Sequence, residues 1–430
     1  TMPEFLERRY NPQSRTILSV ISLVSYVLTK VAVTVYAGGL VFQQVFGIKE
    51  LWGIDFFWIA AIGLVVLTAL YTIFGGMKSV LYTSVLQTPI LLLGSLIILV
   101  LGFKELGGWD EMMRVCGAVT VNDYGDTMTN LIRSNDDANF PWLGALIGSA
   151  IIGFWYWCTD QFIVQRVLSG KNEMEARRGT IFGAYLKLLP VFLFLIPGMI
   201  AFALHQKYIG AGGEGFLPML ANGTANADAA FPTLVAKLLP AGVKGLVVCG
   251  ILAALMSSLA SLFNSSAMLF TIDFYKRFKP ETPEKKLVGI GQIATIVIVV
   301  LGILWIPIMR SVGDVLYTYL QDVQSVLAPG IAAAFLLGIC WKRTSAQGGM
   351  WGLISGMVIG LTRLGAKVYY SNAGEVADST FKYLFYDMNW LFFCGWMFLF
   401  CIIVVIVVSL ATEAPTAEKI QGLVFGTATK

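Results

Sequence analysis

Ten stretches of this chain are apolar and long enough to cross a bilayer, at about 17–46, 55–75, 79–103, 141–165, 180–205, 243–273, 287–308, 313–341, 346–369 and 389–411. A helix rises 1.5 Å per residue, so about 20 apolar residues traverse a hydrocarbon core ~30 Å thick. Lipid offers backbone N–H and C=O groups no partners, which restricts spanning segments to helices or a closed barrel, and runs of this length are helical. The expected fold class is an all-α membrane protein. Of the 430 residues 57% are hydrophobic and only 13% charged, against about 25% charged in soluble domains. No stretch is left for a separate soluble domain. Residues 1–411 read as a single transmembrane domain and 412–430, with Pro415 and few apolar side chains, as a frayed cytoplasmic tail.

An even count of spans puts both ends on one side. Arg8, Arg9 and Arg15 precede the first span. Lys78 follows the second, Arg166, Lys171, Arg177 and Arg178 the fourth, Lys276, Arg277, Lys279, Lys285 and Lys286 the sixth, and Lys342 and Arg343 the eighth. Short loops rich in Lys and Arg stay in the cytoplasm, so the chain start and the C-terminus are expected there, in a plasma or inner membrane. The long loops 104–140 and 206–242 carry Asp110, Glu111, Asp123, Asp126, Asp136, Asp137, Glu214 and Asp228 and are expected outside. Asn222-Gly-Thr in the second of them matches a glycosylation sequon. No charged segment with a cleavage site precedes the first span, so no secretory leader is expected.

Several function classes fall away. The net charge of +4 comes from small clusters beside the spans and not from a basic patch interleaved with aromatics, so no nucleic-acid partner is expected. The six cysteines fit neither a disulfide framework nor a zinc spacing. A single histidine, His205, lies near a helix end, where an interfacial place is expected. No nucleophile stands with a base, so the chain is not expected to be an enzyme.

Polar groups inside a membrane are costly unless they face the bundle interior, a cavity or a ligand. Lys30, the run Trp155 to Gln161, Lys187, the serines 257, 258 and 261, and Gln321 with Gln324 are such groups. Tyr156 lies about 14 Å from the inner end of its span, Gln321 about 12 Å from its outer end and Lys187 about 10 Å deep, near the midplane where inverted-repeat transporters bind substrate and ion. Ala254, Ser257 and Ser258, at i, i+3 and i+4, share one helix face. They are either small-residue packing or a neutral oxygen set for a hard cation. The Gly144, Gly148, Gly153 and WYWCTDQ span is either a broken helix lining a cavity or an interfacial aromatic belt. Lys187 and Gln321 either pair within the bundle or meet a substrate. Lys30 is expected to snorkel or pair structurally.

The stretches WYWCTDQFIVQRVLSGKN (155–172), GAYLKLLPVFLFLIPGMI (183–200), LMSSLASLFNSSAMLFTIDFY (255–275) and APGIAAAFLLGICWKR (328–343) are similar to sodium/glucose cotransporters of the solute:sodium symporter family. The similarity runs from Thr1 to about Ala411. It implies an inverted-repeat helical bundle of the leucine-transporter type, with two five-helix repeats, peripheral helices and about ten transmembrane helices in this chain. In that family a segment like TMPEFLERRY follows the second core helix, so the chain is expected to begin just before the third, leaving half sites. Position by position, the resemblance implies that Ala254, Ser257 and Ser258 bind sodium, that Lys187 and Gln321 hydrogen-bond the sugar, that Tyr156 stacks on it as an inner gate, and that Trp157 lines the pocket. Gly153, Thr318 and Ser84 depart from the Asn or Thr, the Asp and the Asp of relatives. Ser84 and Ala260 lack the groups that help hold a second sodium.

The resemblance thus implies sodium-coupled symport of a glucose- or galactose-like monosaccharide by alternating access, with sodium as the co-transported ion. Open alternatives are a sodium symporter for inositol, sialic acid or an amino acid, and a passive sugar uniporter or channel.

Overall fold

In the computed structural model, which describes residues 1–220, 223–312, 315–372 and 377–427, each of these ten stretches contains a long run of helical backbone among its described residues. Eight helices among the described residues are long and apolar enough to cross a membrane. One boundary differs from expectation. No loop parts 55–75 from 79–103, and Phe56–Leu106 is a single helix of 51 residues, about 77 Å of backbone. A Gly-Gly pair weakens a helix without deleting a hydrogen bond, and no proline stands in 71–83 to do so. The Ala346–Asn372 helix is long enough to span but more polar, carrying Arg363 and Lys367. Asn222 of the sequon lies outside the described residues.

The chain divides into two compact units, one of Thr1–Ala32, Asn135–Leu168 and Asn264–Lys430, the other of Val33–Ser134 and Ser169–Phe263. In the first, Leu316–Cys340 packs against Ala346–Asn372, Trp390–Ala411 and Trp142–Phe154. Backbones approach closely there, since a Cβ added at Gly330 would stand 2.9 Å from Gly356 Cα. Small residues permit such packing where lipid gives no hydrophobic drive between helices. The TMPEFLERRY segment closes the C-terminal end of Leu316–Cys340. Arg9 donates to the carbonyls of Gly338 at 2.8 Å and Trp341 at 3.2 Å, and Tyr10 donates to Ala334 at 2.7 Å. A cation there complements the helix dipole and satisfies carbonyls that the helix leaves unpaired.

Residues 412–427 are not frayed. Phe425 N–H donates to Ile339 O at 2.8 Å, Arg343 to Thr412 O at 2.8 Å and Lys419 to Glu7 O at 3.1 Å. Val424 is buried, so one apolar anchor and these bonds hold a segment whose composition suggests a loose end.

The second unit has its core between Phe56–Leu106, the 196–210 helix and Ala241–Phe278, around Ile98, Leu106, Ile200, Leu204, Leu234 and Val247. His205 is buried in this core and not interfacial. Its Nδ1 accepts Leu217 N–H at 3.0 Å and so ties the following loop to its helix.

Candidate functional site

The 141–165 span breaks where its polar run begins. Trp142–Phe154 is α-helical, Trp155–Thr159 widens into a π-turn, and Asp160 is extended (φ −78°, ψ 119°) before Gln161–Leu168 resumes. Asp160 caps that second helix, its Oδ1 accepting Phe162 N–H at 3.1 Å and the Tyr26 hydroxyl at 3.0 Å. Its Oδ2 takes the ammonium of Lys30. The expected structural pairing of Lys30 is therefore what the fold contains. Lys30 sits in a second π-turn, Tyr26–Val31, and its Nζ lies 4.2 Å, 4.7 Å and 5.4 Å from the ring centroids of Phe162, Tyr26 and Tyr156. π-turns within α-helices gather at functional sites.

Tyr156 is half-buried, with the Trp157 ring perpendicular to it at 5.1 Å. Trp157 is 50% exposed. Nothing lies within 4 Å of where a Cβ at Gly153 would stand, so the helix flank just before Tyr156 is open.

Ala254, Ser257 and Ser258 lie on the Ala241–Phe278 helix. Ser257 is 5% exposed, and its hydroxyl lies 2.7 Å from that of Ser84 on the Phe56–Leu106 helix. One of the two donates. Each hydroxyl has one proton and two acceptor positions, and neither carries a charge. Ala254 and Ser258, half-buried, stand beside Ser257 on the same helix. Both residues are serines, so the oxygens gathered at 84 and 257 are neutral ones. Ser84 and Ala260 stand at positions where the resemblance implies that the groups for a second sodium are lacking. The Ser84 hydroxyl meets Ser257, and Ala260 is fully buried and offers only a methyl group.

Lys187 is exposed and ends the Glu173–Leu186 helix, at a short interruption before Pro190. Proline has no N–H for the Leu186 carbonyl, and the helix is interrupted at 187–188 before resuming at Leu189. Lys187 belongs to the second compact unit, whereas Gln321, Tyr156 and Trp157 belong to the first. Gln321 Nε2 donates to the Tyr317 hydroxyl, one turn earlier, at 2.8 Å.

Two clusters were not legible in advance. Beside Gln321, Asp322 accepts Lys367 at 2.8 Å and Arg363 at 3.4 Å. Arg363 is fully buried, lies 4.1 Å from the Phe393 ring centroid and donates to Met388 O at 2.7 Å. The other is the link from Lys30 to Asp160. In both, the available signal was a charge within a span, which calls for an opposite charge without naming it.

Comparison with known proteins agrees with this architecture. A solved structure of a Na+-coupled sialic acid symporter, in a substrate-bound outward-open state, superposes with a TM-score of 0.69 at 21% identity, covering 97% of this chain and 78% of that one. The chain thus has the leucine-transporter-type helical fold. The human sodium/myo-inositol cotransporter 2 is 35% identical over 99% of this chain and 64% of its own length. The Bos taurus sodium/mannose cotransporter is 36% identical over 99% of this chain and 72% of its own, and the Ovis aries sodium/glucose cotransporter 1 is 37% identical over 97% and 64%. The chain therefore spans about 64% of the length of the inositol and glucose relatives. The Sodium:solute symporter family profile matches residues 1–356, and this multi-pass membrane chain belongs to that family.

Proposed function

We propose that this chain forms part of a sodium-coupled secondary active symporter that imports a glucose- or galactose-like monosaccharide by alternating access. The observation that carries the reading is the pair of hydroxyls at Ser84 and Ser257, 2.7 Å apart and beside Ala254 and Ser258. Neutral oxygens coordinate a monovalent cation weakly enough to release it, which a symporter needs on every cycle. In the first unit Gln321 is a hydrogen-bonding residue for sugar hydroxyls, Tyr156 offers the apolar ring face and Trp157 lines the pocket, and in the second Lys187 is a further hydrogen-bonding residue for the sugar. Residues 1–411 act as one transporter domain with both ends cytoplasmic, in a plasma or inner membrane. One sodium accompanies each substrate, since neither Ser84 nor Ala260 supplies a carboxylate or a second hydroxyl for another ion.

A second reading within transport keeps the ion and changes the solute. Relatives named for myo-inositol and mannose match this chain as well as one named for glucose, and the open space at Gly153 admits a different ring substituent. Uptake into proteoliposomes under an imposed sodium gradient, across glucose, galactose, mannose, myo-inositol and sialic acid, tests both readings. Uptake of a hexose above the others, abolished when potassium replaces sodium, is expected. Equal uptake without sodium points to a uniporter and refutes the symport reading.

A further inference from the structure

We infer that Lys30 and Asp160 are positioning residues that fix the break in the 142–168 span and thereby set the place of the Tyr156 ring. The inference rests on the reading of Tyr156 as a substrate-facing aromatic, and it assigns work to two charges that neither ion nor sugar needs to touch.

The Asp160 carboxylate has no oxygen to spare. Oδ1 accepts from Phe162 N–H and from the Tyr26 hydroxyl, and Oδ2 from Lys30. It stands at the extended residue that separates the π-turn from the next helix, where its backbone N–H still closes the turn on Trp155 O at 3.1 Å. The Lys30 ammonium faces rings on both flanks of that residue, Tyr156 before it and Phe162 after it. A cation attracted to the faces of two rings, and anchored to the carboxylate between them, holds both flanks at once. Lys30 is itself presented from a π-turn, and its Leu28 carbonyl accepts the Tyr319 hydroxyl at 2.9 Å. A charge pair serving bundle stability alone could sit at any depth along two straight helices. This one occupies the irregular turn of each.

The deciding variant is Lys30→Met/Asp160→Asn. It removes both charges together, so no lone ion is left in the membrane, and Asn retains the cap on Phe162 N–H. Cys158 is an exposed thiol within the same π-turn and reports its geometry without any substrate. In protein whose other exposed cysteines, Cys249 and Cys340, are replaced by serine, the double variant is expected to change the maleimide labelling rate of Cys158 by about tenfold, as access to a thiol changes. In uptake assays the half-saturating sugar concentration should rise by roughly tenfold, the scale of a sub-ångström misplacement, with half-saturating sodium unchanged. Labelling and sugar dependence both equal to the parent would overturn the inference and leave the pair as bundle packing. If the double variant does not fold, Tyr26→Phe decides. It deletes only the hydroxyl held by Asp160 and should shift both readouts in the same direction by a few-fold, and parental values again overturn the inference. A protein that transports no sugar with sodium refutes the transport reading alone, because the Cys158 rate needs no substrate.

Discussion

At 155–160 a full carboxylate meets a full ammonium; at 254–258, in the other compact unit, the polar atoms are hydroxyls and carbonyls. Both sets sit in helices that cross the membrane, yet their capacity for a mobile ion is opposite. The carboxylate of Asp160 is already matched by Lys30, Tyr26 and Phe162, and a sodium ion entering there would have to displace a covalently tethered cation. The Ser84 and Ser257 hydroxyls are neutral and meet each other at 2.7 Å. Binding strength alone therefore does not mark an ion site. What distinguishes the two sets is charge, an ion pair at one and neutral hydroxyls at the other.

The sharpest attempt to break this contrast is Asp160→Ala. Removing one partner of a buried pair leaves the other uncompensated and should cost about 3–5 kcal/mol of stability, read as a large fall in melting temperature in detergent. A loss below about 1 kcal/mol, the scale of an exposed pair, would show that water reaches Lys30 and that the two regions do not differ in kind. Ser258→Ala should instead leave the melting temperature without sodium close to the parent's. Its effect should appear in the sodium concentration for half-maximal uptake, as a loss of about 1–3 kcal/mol, the range for an unmade polar contact. Unchanged sodium dependence would remove Ser258 from the proposed ion site.

Gln321 belongs to the first unit but is not locked as Asp160 is, since Tyr317 in its own helix is the partner it has. Gln321→Leu should weaken sugar binding by about 0.5–1.5 kcal/mol, the net worth of a neutral hydrogen bond, and leave sodium binding alone. Direct binding assays for each ligand separate these. Equal losses for both, or none, would make Gln321 a packing residue.

The helices were legible because their signal is local. Twenty apolar residues announce a span whatever surrounds them, and the polar run after Gly153 allowed either a break or an aromatic belt, of which the structure contains the break, at Asp160. The continuous backbone between 75 and 79 was not legible, because a Gly-Gly pair serves equally as a turn or as a weak stretch of helix. Pairings across the chain were harder still. Lys30 and Asp160 are 130 residues apart, and Ser84 and Ser257 are 173 apart, so neither meeting has any local trace. The tail differs for the same reason: its composition is that of a loose end, and the buried Val424 with bonds to Ile339, Arg343 and Glu7, all distant in sequence, holds it.

The smallest effect belongs to a carboxylate with ample hydrogen bonds and only partial burial. Asp126, in the 104–140 loop, accepts Ser134 N–H at 2.7 Å, Asn122 Nδ2 at 2.8 Å and Asn130 Nδ2 at 3.1 Å. The Ser134 amide first, then the Asn side chains and nearby Arg133, hold its carboxyl below the ordinary 3.8. Because these donors favour the ionised form, the stabilisation of the loop is complete above that ordinary value and is lost as pH falls through the depressed one. Hydrogen-exchange protection at Ser134, corrected for the intrinsic rate, should therefore hold from pH 7 to about pH 5 and fall below about pH 3.8. Asp126→Asn should abolish that pH dependence. Water screens this site, so global stability should barely move, in contrast to Asp160→Ala, and burial becomes the variable that separates the two carboxylates. Equal protection in the parent and in Asp126→Asn at every pH would mean that the Asn side chains hold the loop without the charge.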